Sequence, residues 1–245
     1  MELKNVIDLL KMRLKLLFKS PVLTFPSIAT VGFAGIMYSL APIDFCSSYL
    51  ISAVFLFFIG IFAAMSINGR ENDVFEETLM LHSKSVVNYY ISRELLLGII
   101  SLFYSLVLTI VPILVYLPAP DRFFKPLDMQ DVAMALPYIF ICGLAGMVIG
   151  DVLHPRIIKK RSDAVMGAIL ISILTVCKIG LIEWNPAFKI LNFILPPVLD
   201  GYKAFVELSF FDAGEISLIC IKIAIFVIIL TVVKIKFLIF MRYRC

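Results

Sequence analysis

The sequence predicts an all-α integral membrane protein with six transmembrane helices. Hydrophobic residues make up 61% of the 245 residues and charged residues only 16%, whereas soluble domains contain roughly 45–50% and about 25%. The mean hydropathy is +1.01. A globule of this size cannot hide so much apolar surface from water, and lipid is the solvent that accepts it. This composition excludes a soluble enzyme, a disordered regulator and a disulfide-stabilised secreted domain.

Six apolar stretches are each long enough for a membrane span of about 20 residues. They are Val22–Leu40, Tyr49–Ile67, Leu95–Leu117, Val132–Gly150, Ala164–Ile182 and Ile216–Val233, and the third has an alternative start near Val86. The segments between them are short. We therefore expect a single transmembrane domain over residues 1–245, with no soluble domain of about 100 residues.

The distribution of lysine and arginine predicts the orientation, because cytoplasmic loops carry an excess of these residues. With the N-terminus inside, the inner segments hold 16 Lys and Arg residues and the outer segments hold four. Both termini are therefore expected in the cytoplasm. The expected location is a cell membrane, most simply a bacterial plasma membrane.

Residues 1–20 predict an amphipathic helix in the cytoplasmic interface, connecting to the first span. Its apolar face comprises Leu3, Ile7, Leu10, Leu14 and Leu17, which recur at helical spacing. Lysines gather on a neighbouring stripe, where they would lie near anionic headgroups. The alternative is an ordinary positively charged flank of the first span.

The cytoplasmic segment 68–93 contains the densest acidic cluster of the chain. Its acidic residues are Glu71, Asp73, Glu76 and Glu77, and its apolar residues are Val74, Phe75, Leu79, Met80 and Leu81. A short helix with this pattern would present apolar and acidic side chains together. Since no partner for it is evident in the chain, we expect a partner in trans; the alternative is a solvated connector.

The outer segment 183–215 is too apolar for a wet loop and is interrupted by Pro196 and Pro197. We expect a helical piece that re-enters the outer leaflet, where its broken backbone must be buried in protein.

Only two ionisable side chains lie well inside the predicted spans, Lys178 and Lys222. They lie at a similar depth, roughly 7–9 Å below the outer boundary. One interpretation is that both extend outward to the interface. The other is that they line a polar path for a cargo and face Glu183 or Glu215.

Several kinds of chemistry are not predicted. There is no G-x-x-x-x-G-K-[ST], no H-E-x-x-H and no G-x-S-x-G, and the five cysteines form no CxxC. A net charge of +4 is too small to predict nucleic-acid binding. We expect neither an enzyme nor a metal site.

The loop after the second span gives the chain its closest family resemblance. The stretches that carry it are Glu71-Asn72-Asp73, Glu76-Glu77-Thr78-Leu79-Met80-Leu81, His82-Ser83-Lys84-Ser85 and Arg93. Together with the architecture, they resemble the permease subunits of ABC-2 type exporters. The corresponding loop of those permeases begins with acidic residues and continues with Gly-Thr-Leu-Glu, a run of Leu and Ser-Pro-x-Ser. Val74-Phe75 stands in place of Gly-Thr and Ser83 in place of Pro. The stretch 190–196, which contains Asn192 and Pro196, is similar to the aromatic-x-Asn-Pro stretch of that family.

The resemblance implies that residues 71–85 hold a coupling helix that docks on a separate ABC ATPase subunit. The coupling residues would be Glu71, Asp73, Val74, Phe75, Glu76, Glu77, Leu79, Met80 and His82. ATP and Mg²⁺ would be bound by that subunit and no cofactor by this chain. The working unit would pair the permease with a second copy or with a paralogue.

The sequence predicts no large extracellular domain. In this the chain resembles small permeases that export bacteriocins, that confer immunity to bacteriocins, or that export amphipathic cytolytic peptides. The implied function is outward movement of an amphipathic or hydrophobic cargo, such as a peptide toxin, driven by the ATPase. The alternative is a membrane immunity or scaffold protein that sequesters a peptide or lipid without transport.

Overall fold

The described part of the chain is built almost entirely of helices. The computed structural model describes residues 2–69, 73–83, 85–202 and 211–242. The α-helices are α1 (Glu2–Phe18), α2 (Thr24–Ser39), α3 (Phe45–Asn68), α4 (Asp73–His82), α5 (Val86–Tyr116), α6 (Met129–Val152), α7 (Arg161–Trp184), α8 (Leu191–Ile194) and α9 (Ala213–Arg242). Over these ranges the β-type pairing is limited to an isolated bridge between Ile43 and Phe123. The all-α prediction is confirmed.

The six predicted spans are confirmed as helices that are long and apolar enough to cross a membrane. They are Pro21–Ser39, Phe45–Asn68, Val86–Tyr116, Met129–Val152, Arg161–Trp184 and Ala213–Phe240. The third begins at the earlier of its two predicted starts. With 31 residues, α5 is about 46 Å long and exceeds a hydrocarbon core of about 30 Å. Its first turns lie beside α4.

The centre of the bundle is the pair formed by α3 and α6, which share the most extensive contact between helices. Gly146 and Gly150 lie on the face of α6 that meets α3. A Cβ atom added to them would lie 2.1 Å from the carbonyl oxygen of Phe57 and 2.2 Å from that of Ile61. Only glycine allows this approach, and the four-residue spacing is that of small-residue contacts between membrane helices.

The periphery of the bundle is apolar and exposed. Exposed side chains on α2, α7 and α9 include Ile28, Val31, Leu170, Ile228 and Ile229. In water such faces would be unstable, whereas in a bilayer they contact lipid chains. The exposed apolar surface is therefore consistent with a multi-pass membrane protein.

The amphipathic helix α1 packs along the first turns of α5. Val6, Leu9 and Leu17 are buried, and Ile7 is exposed. The guanidinium carbon of Arg13 lies 4.5 Å from the centre of the Tyr89 ring, a cation–π contact. A helix over these residues is confirmed, and its buried face, which includes Arg13, is rotated from the predicted one. Its position in the membrane interface stays a prediction.

The described part of segment 183–215 contains a 3₁₀ turn (Pro186–Ile190) and the one-turn helix α8. Val198 is buried, and its carbonyl oxygen accepts a hydrogen bond of 2.5 Å from the hydroxyl of Tyr138 in α6. The segment thus docks on the bundle at the end opposite to α4. Its re-entry into the outer leaflet stays a prediction, and residues 203–210 lie outside the described ranges.

We predict that Gly146→Ala lowers the free energy of unfolding by about 1–3 kcal/mol, because the added methyl group overpacks the contact between α3 and α6. The matched control is Gly98→Ala, since a Cβ at Gly98 would have no other atom within 4 Å. This control should be neutral or gain up to about 1 kcal/mol from helix propensity. Denaturation of the purified protein in detergent measures both values, and equal losses would contradict the packing argument.

Candidate functional site

Charged side chains converge at the end of the bundle that carries α4. We call this group the ionic cluster. It consists of Asn68, Arg93, Glu94, Asp151, His154 and Lys234. These residues come from α3, from α5, from α6 and the turn after it, and from α9. The cluster therefore joins four of the long helices at one end of the bundle.

Asp151, in the last turn of α6, is the centre of the ionic cluster. Its carboxylate oxygens lie 2.6 Å from Nη2 of Arg93 and 2.5 Å from Nζ of Lys234. Asp151 and Arg93 are each 1% exposed and Lys234 is 2% exposed. Lys234 also bonds to Glu94. The positive charges of Arg93 and Lys234 equal the negative charges of Asp151 and Glu94. A charge buried in an apolar environment requires such pairing.

Arg93 connects this centre to α3 and to the turn after α6. It donates to the side-chain oxygen of Asn68, and its Nη1 lies 3.1 Å from Nε2 of His154. The amide nitrogen of Asn68 in turn donates to the carbonyl oxygens of Gly150 and Asp151 at 3.3 and 3.4 Å. The end of α6 is thereby fixed by side chains from two neighbouring helices.

Helix α4 is anchored to the bundle next to the ionic cluster. Glu76 is fully buried, with its Oε2 2.9 Å from Nε of Arg156 and its Oε1 3.5 Å from the hydroxyl of Tyr90. Leu79 and Met80 are also buried, in an apolar group to which α1, α5 and α9 contribute. The premise that this segment lacks a partner within the chain is therefore wrong. Helices α5 and α9 are longer than the spans that the sequence predicts, and their additional turns form the surface on which α4 packs.

The other face of α4 remains accessible. The side chain of Glu77 is 64% exposed and Leu81 is 77% exposed, and Thr78 between them is exposed. Of the remaining predicted coupling residues, Glu71 lies outside the described residues. Asp73, Val74, Phe75 and His82 lie in α4, but their side chains are outside what the structure describes.

The opposite end of the bundle contains a cavity between α7 and α9, which we call the α7–α9 cavity. Its volume is about 710 Å³, and its polar lining comprises Lys178, Glu183, Asn192, Asp200, Glu215 and Lys222. Lys178 is 1% exposed, and its Nζ lies 3.5 Å from Oδ1 of Asp200. Lys222, Glu183 and Glu215 are exposed.

The two intramembrane lysines thus behave differently. Lys178 is buried and paired with the segment between α7 and α9, so it does not extend freely to the interface. Lys222 is exposed on the cavity wall. Both line one cavity with Glu183 and Glu215, the arrangement that the second interpretation expects. That a cargo passes along them stays a prediction.

The sequence does not predict the ionic cluster. Arg93 and Lys234 count there among the inner charges, Arg93 also carries part of the family resemblance, and Asp151 directly follows the fourth predicted span. The available signal was an acidic residue directly after the apolar run that ends at Gly150, together with cations at the ends of two other spans. Which charges pair depends on helix packing, which the sequence alone does not specify.

Within the described ranges, histidine, cysteine and carboxylate side chains form no group of three that could hold a metal ion. Comparison of the chain with protein-family models, with curated proteins and with solved structures finds no match.

We predict that Asp151→Asn lowers the free energy of unfolding by about 3–5 kcal/mol, because it leaves Arg93 and Lys234 buried without their shared carboxylate. The control is Asp163→Asn, which removes an exposed carboxylate in the first turn of α7 and should cost less than about 1 kcal/mol. Denaturation in detergent compares the two variants. Similar losses would show that the ionic cluster does not stabilise the bundle.

Proposed function

We propose that this chain is the transmembrane permease subunit of an ATP-binding-cassette exporter. It would move an amphipathic or hydrophobic cargo, such as a peptide toxin or bacteriocin, outward with ATP hydrolysed by a separate subunit. The observation that carries the proposal is α4, which is anchored to the bundle by Glu76, Leu79 and Met80 while Glu77 and Leu81 stay exposed. A helix held in this way can transmit the movement of a partner bound to its exposed face.

A short chain of contacts leads from α4 to the membrane-spanning helices. Displacement of α4 moves Glu76 and therefore Arg156, which follows α6 closely. The end of α6 carries Asp151, and Asp151 bonds to α5 and α9. Coupling of this kind requires packed elements with two discrete arrangements. In the proposed mechanism, ATP-driven closure of the ATPases moves α4, and the ionic cluster distributes that movement over α5, α6 and α9.

The working unit would contain two permeases, as two copies of this chain or as this chain with a paralogue, and two ATPases that bind ATP and Mg²⁺. The excess of lysine and arginine in the segments on the α4 side supports a cytoplasmic α4 and cytoplasmic termini. The proposed location is the plasma membrane of a bacterium.

The α7–α9 cavity favours a second candidate function. A cavity of about 710 Å³ with charged walls can hold part of a peptide or lipid without transporting it. In that case the chain is an immunity or scaffold protein, and protection against a toxic peptide would require no ATP hydrolysis.

We predict that a cysteine introduced by Leu81→Cys is labelled by a membrane-impermeant thiol reagent only after the cells are permeabilised. A cysteine from Trp184→Cys, which is 79% exposed at the other end of the bundle, should be labelled in intact cells. The unsubstituted protein is the control for its own cysteines. The reverse pattern would place α4 outside the cell and exclude the proposed coupling.

We also predict that Glu77→Ala/Leu81→Ala abolishes most of the ATP hydrolysis of the complex purified with its native ATPase, while the unfolding midpoint of the permease stays unchanged. Both side chains are exposed. Glu77 also lies 4.0 Å from Arg156, but Arg156 keeps its closer pair with Glu76, so the loss of both side chains should act mainly on the partner contact. The matched control is Lys159→Ala, an exposed side chain at the same end of the bundle.

Normal ATP hydrolysis and cargo release in Glu77→Ala/Leu81→Ala would contradict the role of α4 as the coupling helix. Protection of cells against a toxic peptide without an associated ATPase would contradict the exporter and support the sequestering protein.

A further inference from the structure

The walls of the α7–α9 cavity have the same order of charges on both helices. On α7, Glu183 lies near the helix end, and Lys178 lies five residues, or about 8 Å, deeper. On α9, Glu215 lies near the helix start, and Lys222 lies seven residues, or about 11 Å, deeper. Each helix therefore places a carboxylate near this end of the bundle and an ammonium group farther along the helix.

Part of this charge is already paired within the chain. Lys178 lies against Asp200, which belongs to the segment between the two helices. Over the described residues, Glu183, Glu215 and Lys222 take part in no ion pair. The cavity thus offers two carboxylates at its mouth and one ammonium group in its depth. A ligand that complements it carries a cation at its outer end and an anion below the cation.

The remaining lining of the cavity is largely apolar. Ile179 and Leu218 lie between the carboxylates and the lysines, and Phe226 lies four residues deeper than Lys222, on helices with many exposed apolar side chains. The volume of about 710 Å³ lies within the range of small-ligand pockets and is too small for a folded partner. The ligand therefore continues into apolar chains.

From these observations we propose that the α7–α9 cavity binds a zwitterionic phospholipid that carries an amine, with its ammonium group between Glu183 and Glu215 and its phosphate at Lys222. In such a lipid the amine lies outermost, the phosphate lies below it and the acyl chains follow. On α9 the same order is given by Glu215, Lys222 and Phe226. The exposed amide of Asn192 offers a further hydrogen bond to the headgroup.

This inference goes beyond the proposed function and does not depend on it, since a lipid can bind here whether or not an ATPase drives transport. It also makes a prediction about headgroups. Among the described lining residues, the two unpaired carboxylates exceed the single unpaired lysine, so a purely anionic lipid should bind worse than a zwitterionic one.

The test uses the purified full chain in detergent, without ATP or a partner. Phosphatidylethanolamine, phosphatidylglycerol or phosphatidic acid with identical acyl chains is added, and bound lipid is counted by native mass spectrometry. We expect phosphatidylethanolamine to bind about tenfold more tightly than either anionic lipid, since charge-assisted hydrogen bonds to two carboxylates supply that difference. Equal binding of the three lipids, or a preference for an anionic one, overturns the proposal without any variant.

Variants test the role of the two carboxylates and the role of Lys222 separately. Glu183→Gln/Glu215→Gln should abolish the preference for phosphatidylethanolamine, and Lys222→Met should weaken binding of all three lipids. The control Lys236→Met removes an exposed lysine from the same helix at the opposite end of the bundle and should change nothing.

A control variant that lowers binding as much as Lys222→Met would show nonspecific lipid association and overturn the proposal. Failure to bind phosphatidylethanolamine together with binding of an amphipathic peptide would also overturn it and assign the cavity to a peptide. Loss of ATPase coupling in the α4 variants leaves these measurements unaffected, so the two proposals can fail independently.

Discussion

The arrangement of the bundle depends on how Asp151 is neutralised. A carboxylate buried at the end of a membrane-spanning helix is unfavourable unless cations reach it, and both Arg93 and Lys234 do so. This requirement fixes the ends of α5 and α9 against α6. The glycine contacts of α6 with α3 fix the other side of that helix. Helix α6 is therefore the element against which the other central helices are positioned.

The anchoring of α4 follows from the same arrangement. Helices α5 and α9 are longer than the predicted spans, and their additional turns present Tyr89, Tyr90 and Leu238 to Leu79 and Met80. Arg156, two residues after His154, pairs with Glu76. A polar contact and an apolar contact thus hold one face of α4, and Glu77 and Leu81 on the other face remain accessible. This division gives the permease proposal its physical basis.

The sequence was sufficient to predict the number of spans, their approximate bounds and the amphipathic helices, because these depend on local composition and periodicity. Lys178 and Lys222, which counting residues along the spans predicts at similar depths, line one cavity, and their depth in the membrane stays a prediction. The pairing of Lys178 with Asp200 and of Arg93 with Asp151 could not be predicted, since each depends on how helices distant in sequence pack. Which face of α1 is buried, with Arg13 over the ring of Tyr89, likewise depends on how α1 packs on α5. Composition also gave no indication that α4 packs on its own chain.

The bond between Lys234 and Glu94 limits how the bundle can rearrange. If α9 separated from α6, Lys234 would lose Asp151 but would keep Glu94, while Asp151 would keep Arg93. Each half would then remain neutral, so neither would expose an unbalanced charge to the acyl chains. Separation of α9 from α5 would break the Lys234–Glu94 pair and leave Glu94 without its cation. Opening between α6 and α9 with both pairs intact therefore requires α5 to stay against both helices, because α5 carries Arg93 and Glu94.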